Sequence, residues 1–205
     1  MTDLLLIGGG GHCRSCIDVI EIKVEFGIRG IIKPLSDGVD GAFGYPILGS
    51  DDDLPALLKE TPYALVTVGQ IKSPETRIRL YEMLKKLGAK LVKIVSPLAY
   101  CSERASINEG TIMMHFSSVN AGADVGANCI INSYALIEHD VKIADHCHIS
   151  TGVRINGGAI IGKGTFIGSG TIIKENILIG ENVVISAGQL ILEDVPDGTV
   201  VINGQ

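Results

Sequence analysis

The chain has 205 residues, a formal net charge of −6 and an apolar content of 46%, which is enough for one or two domains with a buried core. The acidic balance argues against nucleic-acid binding through a basic face, and no apolar run is long enough to span a membrane. No basic and apolar signal precedes the first predicted strand, so we expect a cytoplasmic protein.

The first ninety or so residues have the pattern of a small parallel α/β domain. The apolar run Leu4–Ile7 is followed by the glycine turn Gly8–Gly11 and then by a segment with helical spacing. A strand, a glycine turn and a helix form the opening of a βαβ unit. We place the end of this domain at Ser96–Pro97. Further strands are predicted at Ile28–Ile32, Tyr63–Val68 and Lys90–Val95, and further helices at Leu54–Leu58 and Thr76–Leu87.

The glycine turn is a candidate phosphate site. Backbone N–H groups at a helix start can hold a phosphate, and glycine lets the ligand approach closely. The spacing does not match G-x-G-x-x-G, because Cys13 takes the last glycine position after Gly8 and Gly10. The next strand ends in Lys33–Pro34 rather than in an acidic residue that would hold an adenosine ribose. These departures argue against a dinucleotide-dependent oxidoreductase. A turn that only joins strand to helix is the alternative.

The five cysteines fit neither a disulfide framework nor a zinc site. Cys13 and Cys16 form a C-x-x-C motif at a predicted helix start, but no second pair accompanies it. A buried packing role is therefore favoured there over a redox or metal role. Cys129 and Cys147 lie eighteen residues apart in a repeating position that otherwise carries small or β-branched residues, so packing explains them as well.

A six-residue repeat organises the second half of the chain. From Ile107 to Ile191 an aliphatic residue or methionine occupies every sixth position, fifteen times. This period is neither that of a helix nor a strand alternation, and it is typical of a hexapeptide β-helix, whose short strands wind around an apolar interior. We therefore predict a β-helix over residues 97–205. Glu193–Gln205 leave the repeat and are expected to cap it or to pack on a neighbour.

His139 is a candidate general base. With three hexads per coil, residues eighteen apart stack about 4.8 Å from each other, which places His139 between Ala121 and Gly157. Small neighbours leave room for a substrate, and the adjacent Glu138 or Asp140 could hold the imidazole in one tautomer. A surface histidine with incidental acidic neighbours is an equally open interpretation.

His148 has a more enclosed predicted setting, stacked between Ile130 and Phe166. This favours a structural or ligand-packing role over chemistry. His139, His146 and His148 occupy three different positions of the hexad, so their side chains should diverge. We therefore predict no metal site.

Three stretches of the sequence resemble the sugar acetyltransferases typified by PglD and NeuD: Leu6–His12, Ile131–Asp140 and His148–Gly152. Members of that family are left-handed β-helix homotrimers that transfer acetyl from acetyl-CoA to a bacterial amino sugar, commonly a UDP-linked 4-amino-4,6-dideoxy sugar, or to sialic acid. The resemblance implies a Rossmann-like α/β domain over residues 1–96 that binds the sugar nucleotide. It also implies an all-β left-handed parallel β-helix over residues 97–205 that binds acetyl-CoA and carries catalysis.

The resemblance also implies a site. His139 would be the general base and Asp140 its acidic partner, with direct transfer of the acetyl group and no acyl-enzyme. Acetyl-CoA would lie in the groove between two adjacent β-helices, so each site would need two subunits. The implied acceptor-binding residues are Gly10, Gly11, His12 and Asn132, and the implied acetyl-CoA-binding residues are His148 and Gly157.

Two departures from the family bear on the acceptor. Lys33–Pro34 stands where members often carry an acidic pair that reads the nucleotide base, and the common C-terminal Gly-x-Pro-Ala-Lys is absent. Our main expectation is N-acetylation of a nucleotide-linked amino sugar in bacterial glycan biosynthesis. The alternatives are O-acetylation of sialic or another nonulosonic acid, which Lys33 favours, and a non-catalytic β-helix scaffold.

Overall fold

The computed structural model describes residues 2–23, 25–34 and 41–202. The N-terminal part is a five-stranded parallel sheet with the strand order β3-β2-β1-β4-β5 and with helices packed against it. A 3-10 turn, Asp51–Asp53, precedes the second helix. The elements are β1 (Thr2–Ile7), α1 (Gly11–Lys23), β2 (Phe26–Ile32), β3 (Ile47–Gly49), α2 (Leu54–Glu60), β4 (Tyr63–Val66), α3 (Glu75–Lys86) and β5 (Lys90–Leu91).

Two features of this sheet differ from the sequence prediction. The strand β3 was not predicted, because it has only three residues and all of them are half-buried. The single strand expected over Lys90–Val95 is divided: Lys90–Leu91 pairs with β4, whereas Ile94–Val95 pairs with Ile112–Met113. The chain therefore crosses from the α/β sheet to the next part of the fold around residues 92–93.

The rest of the chain is a parallel β-helix of two-residue strands. They form three sheets, which we call the domain-facing sheet (β23-β21-β18-β15-β12-β9-β6), the second sheet (β22-β19-β16-β13-β10-β7) and the third sheet (β20-β17-β14-β11-β8). The strands are β6 (Ile94–Val95), β7 (Tyr100–Cys101), β8 (Ser106–Ile107), β9 (Ile112–Met113), β10 (Ser118–Val119), β11 (Asp124–Val125), β12 (Ile130–Ile131), β13 (Leu136–Ile137), β14 (Lys142–Ile143), β15 (His148–Ile149), β16 (Arg154–Ile155), β17 (Ile160–Ile161), β18 (Phe166–Ile167), β19 (Ile172–Ile173), β20 (Leu178–Ile179), β21 (Val184–Ile185), β22 (Leu190–Ile191) and β23 (Val200–Val201).

The predicted interior is confirmed, since all fifteen members of the six-residue repeat are buried in one apolar cluster. The β-helix extends beyond the repeat at both ends. Val95 and Cys101 pack against the same cluster, two hexads before Ile107. At the other end Val200–Val201 pairs with Val184–Ile185. The two residue pairs that join β21 to β23 are sixteen residues apart in sequence, whereas the other pairs of this sheet are eighteen apart. The last coil is therefore two residues shorter.

The chain leaves the six-residue repeat after residue 192, as the sequence predicted, but strand pairing continues as far as Val201, which the sequence did not predict. The two missing residues break the six-residue period, but the strand pairing continues. Residues 203–205, which belong to the segment where the family motif is absent, lie outside the described residues.

The α/β domain packs on the outward side of the domain-facing sheet. Ile112 and Ile130 point outward from that sheet and share one buried cluster with Cys13, Cys16 and other residues of α1. Both cysteines are free, and burial raises the pKa of each thiol. The C-x-x-C motif thus serves the interface between the two parts of the chain, which is the packing role that the sequence favoured.

Arg77 holds the two parts together from within. Its side chain is buried, and Nη1 donates to the carbonyl oxygens of Val66 (3.1 Å) and Val68 (2.6 Å) at the end of β4. Nη2 donates to the carbonyl oxygen (3.0 Å) and Oδ1 (2.8 Å) of Asn128 in the β-helix. These four hydrogen bonds fix the segment that follows β4, which borders a cleft of about 710 Å³.

Candidate active site

A cleft of about 710 Å³ opens at the carboxyl ends of β1, β2 and β4, beside the domain-facing sheet. Its floor is the glycine turn. Gly8 has a φ of +114°, and a Cβ there would collide with Val68 Cγ2, so the turn needs glycine at this position. A Cβ on Gly10 or Gly11 would meet no atom within 4 Å, so both glycines expose bare backbone to the cleft at the start of α1. A ligand can approach these N–H groups closely.

One end of the cleft is formed by uncharged polar groups. His148 is buried, and its Nδ1 donates to the carbonyl oxygen of Gln70 at 2.6 Å. Asn132 Nδ2 donates to His148 Nε2 at 3.3 Å, and both side chains line the cleft. Because a carbonyl faces Nδ1, the proton lies on that nitrogen. Burial lowers the pKa of His148 to about 4, so the ring is neutral at physiological pH.

His12 also lines the cleft as a neutral ring. Burial lowers its pKa to about 3, and the Arg77 guanidinium and His148 add to the effect. The two imidazole rings lie 6.4 Å apart between centroids. His12 can therefore give a ligand a hydrogen bond but no positive charge.

Other residues of the cleft lining are charged. Among the described residues that line the cleft, the charged side chains are Lys33, Arg79 and Asp51. Arg79 Nη1 lies 3.0 Å from Asp51 Oδ2, so this cation is paired with a carboxylate. The sequence pointed to Lys33 but not to Arg79, Asp51 or Gln70, because only the fold brings their separate segments to one cleft.

The predicted catalytic pair lies at a corner of the β-helix. His139 Nδ1 is 2.9 Å from Asp140 Oδ2, and both side chains are exposed. The carboxylate accepts the Nδ1 proton, which leaves the lone pair on Nε2. Gly157 stacks on His139, as the eighteen-residue spacing predicted: a Cβ on Gly157 would lie 2.6 Å from Nε2. This geometry suits a general base with its reactive nitrogen over a small residue.

The structure divides the predicted site residues into two groups. Gly10, Gly11, His12, Asn132 and His148 all line the cleft. His139, Asp140 and Gly157 lie elsewhere, in turns that join the second sheet to the third sheet. In a three-sided coil that corner is opposite the domain-facing sheet, so one chain alone does not place His139 at the cleft.

A second cavity of about 690 Å³ lies on the outward side of the domain-facing sheet and shares Ile71 and His148 with the cleft. One part of its wall is made of small side chains on successive coils, next to the larger His148, Phe166, Val184 and Val200. The sequence analysis did not predict this cavity. The sequence does indicate it, through small outward-facing residues at a spacing of eighteen. They are Ser150, Gly168 and Ser186, and beside them Ser169 and Ala187.

Within residues 2–23, 25–34 and 41–202 no three His, Cys, Asp or Glu side chains come together as metal ligands. In the same ranges we find no helix with the length and apolar character needed to cross a bilayer.

Comparisons with known proteins agree with this architecture. Residues 3–84 match the family described as the PglD N-terminal domain, and residues 122–157 match the bacterial transferase hexapeptide (six repeats). A histidine-to-asparagine mutant of perosamine N-acetyltransferase from Caulobacter crescentus, solved with CoA and GDP-perosamine, is 26% identical. The alignment covers 98% of this chain and 93% of that chain, with a TM-score of 0.91.

The acetyltransferase domain of PglB from Neisseria gonorrhoeae is 28% identical over 98% of this chain and 96% of its own, with a TM-score of 0.91. The same domain has been solved in complex with acetyl coenzyme A. WeeI from Acinetobacter baumannii, at 22% identity over 99% of this chain and 98% of its own and a TM-score of 0.83, shares the fold. The predicted fold class, an N-terminal α/β domain followed by a left-handed parallel β-helix, is confirmed. The chain is an acetyltransferase that is similar in sequence and structure to the hexapeptide-repeat acetyltransferases of the PglD and NeuD type.

Proposed function

We propose that this enzyme transfers the acetyl group of acetyl-CoA to the amino group of a nucleotide-linked sugar, of the 4-amino-4,6-dideoxy type, in bacterial glycan biosynthesis. The observation that carries the proposal is the His139–Asp140 pair over Gly157, with Nδ1 and the carboxylate 2.9 Å apart. Support comes from relatives solved with CoA and GDP-perosamine or with acetyl coenzyme A. The cytoplasmic location remains a prediction.

In the proposed reaction His139 Nε2 takes a proton from the acceptor amine as its nitrogen attacks the thioester carbonyl. The C–N bond forms and the C–S bond breaks, and the CoA sulfur leaves with the proton that His139 returns. Gly157 offers its backbone N–H to the carbonyl oxygen that becomes negative in the transition state. Asp140 holds the imidazole in the tautomer that this proton transfer requires.

The division of the site residues supports a homotrimer with sites between subunits. An acceptor held in the cleft of one subunit would be out of reach of the same chain's His139, which lies at the corner opposite the domain-facing sheet. A second copy would bring its His139 corner to the cleft. Three copies related by a threefold axis would repeat that contact and close the ring.

The second cavity supports the placement of acetyl-CoA. Its small side chains leave a strip of open surface along successive coils, and it joins the cleft at His148. An extended pantetheine arm fits such a strip and would deliver its thioester toward the acceptor. Asn132 and His148 at the junction would bind the sugar and the acyl end.

Two other functions compete with this proposal. O-acetylation of sialic or another nonulosonic acid is favoured by Lys33, a cation in the cleft that a sugar carboxylate could pair with. A non-catalytic scaffold would leave the ordered His139–Asp140 pair and the open Gly10–Gly11 backbone without a purpose.

The test measures release of the CoA thiol from acetyl-CoA against UDP-, GDP- and dTDP-linked amino sugars and free sialic acid. We expect turnover with one nucleotide-linked amino sugar and loss of roughly 100-fold or more in kcat for His139→Ala, since general base catalysis contributes that much. Glu103→Gln, an exposed residue in the same column two coils away, should retain full activity. Turnover only with sialic acid would move the assignment to O-acetylation, and full activity of His139→Ala would refute the mechanism.

A further inference from the structure

Cys16 contacts an imidazole of the cleft. His12 is the second residue of α1, and Cys16 lies four residues later, about one helical turn further on. Side chains of a helix lean toward its N-terminus, which carries the sulfur of Cys16 toward the ring of His12. Cys16 Sγ lies 3.4 Å from His12 Nε2, a hydrogen-bond distance for sulfur. Cys16 is buried, whereas His12 is half-buried and lines the cleft.

The thiol is the donor in this hydrogen bond. Sulfur is a weak acceptor, whereas the lone pair of a neutral imidazole is a good one. Cys16 has no other hydrogen-bond partner among the described residues, and it belongs to a buried apolar cluster. A proton on Nε2 would therefore leave the S–H without an acceptor. Burial raises the pKa of Cys16 and lowers that of His12 to about 3, so at neutral pH the thiol is protonated and the ring carries one proton.

The other nitrogen of His12 faces the cleft. Nδ1 makes no hydrogen bond within the part of the chain that the structure describes. In that part the buried side-chain nitrogen and oxygen atoms without a partner are Gln70 Oε1 and Arg77 Nε, so His12 Nδ1 is open to solvent. Because His12 lines the cleft, Nδ1 opens into it. Since Nε2 accepts from the thiol, Nδ1 carries the ring proton and offers the cleft a donor.

His12 and His148 thus present opposite groups to one ligand. Their ring centroids lie 6.4 Å apart. His148 donates its Nδ1 proton to the carbonyl oxygen of Gln70 at 2.6 Å and keeps the lone pair of Nε2, which lies 3.3 Å from Asn132 Nδ2. This arrangement suits a ligand with an oxygen at His12 and an O–H or N–H at His148. The other tautomer of His12 would set a lone pair against that ligand oxygen.

We propose that Cys16 is a positioning residue for the acceptor substrate: its thiol holds His12 in the Nδ1–H tautomer, and His12 donates to an oxygen of that substrate. The effect on the substrate rests on the proposed function, whereas the tautomer is a property of the chain by itself. The two cysteines of the C-x-x-C motif therefore differ. Cys13 fills the interface between the two parts of the chain, and Cys16 also sets the hydrogen bonding of the cleft.

The test has two readouts on the full chain. The first is the long-range proton–nitrogen correlation spectrum of protein with isotope-labelled histidine at pH 7.5 without substrates, in which protonated and unprotonated ring nitrogens resonate far apart. His12→Gln identifies the His12 signals. The second is thiol release with the acceptor substrate that turns over, with kcat and KM determined separately.

Cys16→Ala removes the donor, and Cys16→Ser keeps one. Cys13→Ala is the matched control, because it removes the same sulfur atom from the same buried cluster. Cys16→Val, which fills a similar volume without a donor, replaces Cys16→Ala if the latter does not fold. The spectrum of the native chain tests the tautomer without any variant of Cys16.

We expect His12 in the native chain to be protonated at Nδ1 and unprotonated at Nε2. Cys16→Ala should move the ring toward the Nε2–H tautomer and raise the KM of the acceptor substrate roughly 3- to 10-fold, the effect of one neutral hydrogen bond, with little change in kcat. Cys16→Ser should retain the native spectrum and KM. Cys13→Ala should lower the thermal unfolding midpoint about as much as Cys16→Ala and leave the tautomer and the KM unchanged.

The proposal is overturned if Nε2 of His12 is protonated in the native chain, if Cys16→Ala leaves the tautomer unchanged, or if Cys13→Ala shifts it as much. A changed tautomer with an unchanged KM would refute the role in substrate binding. The spectrum is recorded without substrates, so failure of the acetyltransferase proposal is separable. The expected tautomer without thiol release from any acceptor substrate would refute the transfer reaction alone.

Discussion

Gly157 lies directly against the imidazole of His139, so that a Cβ on the glycine would be 2.6 Å from both Cε1 and Nε2 of the ring. Real Cβ atoms do not approach a ring that closely, and the ring has the Asp140 carboxylate on its other nitrogen. The position of the His139 imidazole, the proposed base, therefore depends on Gly157, one coil away, having no side chain.

Gly157→Ala should move the imidazole and lower kcat by roughly 100-fold, the effect of a misplacement of about 1 Å in a reacting group. Its φ is not in the left-handed region, so the thermal unfolding midpoint should change little. Gly158→Ala is the contrasting variant, because Gly158 has a φ of +71° and a Cβ would meet Asn176 Oδ1. It should lower the midpoint while leaving the folded fraction active. Equal activity losses without a stability difference would contradict this account.

Asp140→Asn should preserve the corner of the β-helix, since Asp140 has a φ of +59° and asparagine tolerates that conformation well. The amide no longer fixes the Nδ1–H tautomer of His139, so we expect kcat to fall by about 10- to 100-fold, less than for loss of the imidazole itself. The measurement is kcat for thiol release with the unfolding midpoint as the control for folding. A fully active Asp140→Asn would show that the carboxylate is dispensable.

The glycine turn offers a matched pair of substitutions. Gly10→Ala places a methyl group in open space at the cleft floor, so it should fold normally but raise the KM of the acceptor about tenfold by holding the ligand off the backbone. Gly8→Ala combines a φ of +114° with a collision with Val68 and should destabilise the protein by more than about 1 kcal/mol. If Gly10→Ala leaves the KM unchanged, the turn only joins strand to helix.

The stacking of His139 on Gly157 was predictable because it follows from residue counting within a strict repeat. The side of the β-helix that the α/β domain covers was not, because it depends on tertiary contacts such as those of Arg77 with Asn128. Gln70 was missed for the same reason, as its contact with His148 joins residues 78 apart. The short last coil was missed because a two-residue deletion ends the period without ending the strand pairing.

His148 should make stability depend on pH on the acid side. Its pKa is about 4 in the folded protein and 6.5 when exposed, so the unfolded chain binds the extra proton between these values. Its contribution is fully present above pH 6.5 and is lost as the pH falls toward 4, by up to roughly 3 kcal/mol. Urea unfolding at pH 7.5 and pH 4.5 measures this loss, which should be smaller in His148→Gln. The same pH dependence in both proteins would count against a neutral buried ring.

The pair Phe116–Tyr134 is a candidate contact between subunits. The rings stack with centroids 5.1 Å apart, and both side chains are at least half exposed. Both residues have a positive φ (59° and 60°), whereas the next position in the same column is Gly152. A bulky residue in that conformation costs free energy, which an exposed position in a monomer would not repay.

We therefore expect Phe116→Ser combined with Tyr134→Gly to lower the mass of the protein in solution from that of the proposed trimer toward that of a monomer, as measured by sedimentation at micromolar concentration. Tyr134→Gly removes the backbone strain, so the fold itself should not weaken. Phe43→Gly is the matched control, since Phe43 is also exposed with a positive φ (49°) but belongs to the α/β part of the chain. Thiol release should fall together with the mass, because the cleft and His139 of one chain lie on different sides of the β-helix. A double variant that remains trimeric would place the contact elsewhere, and an active monomer would refute sites shared between subunits.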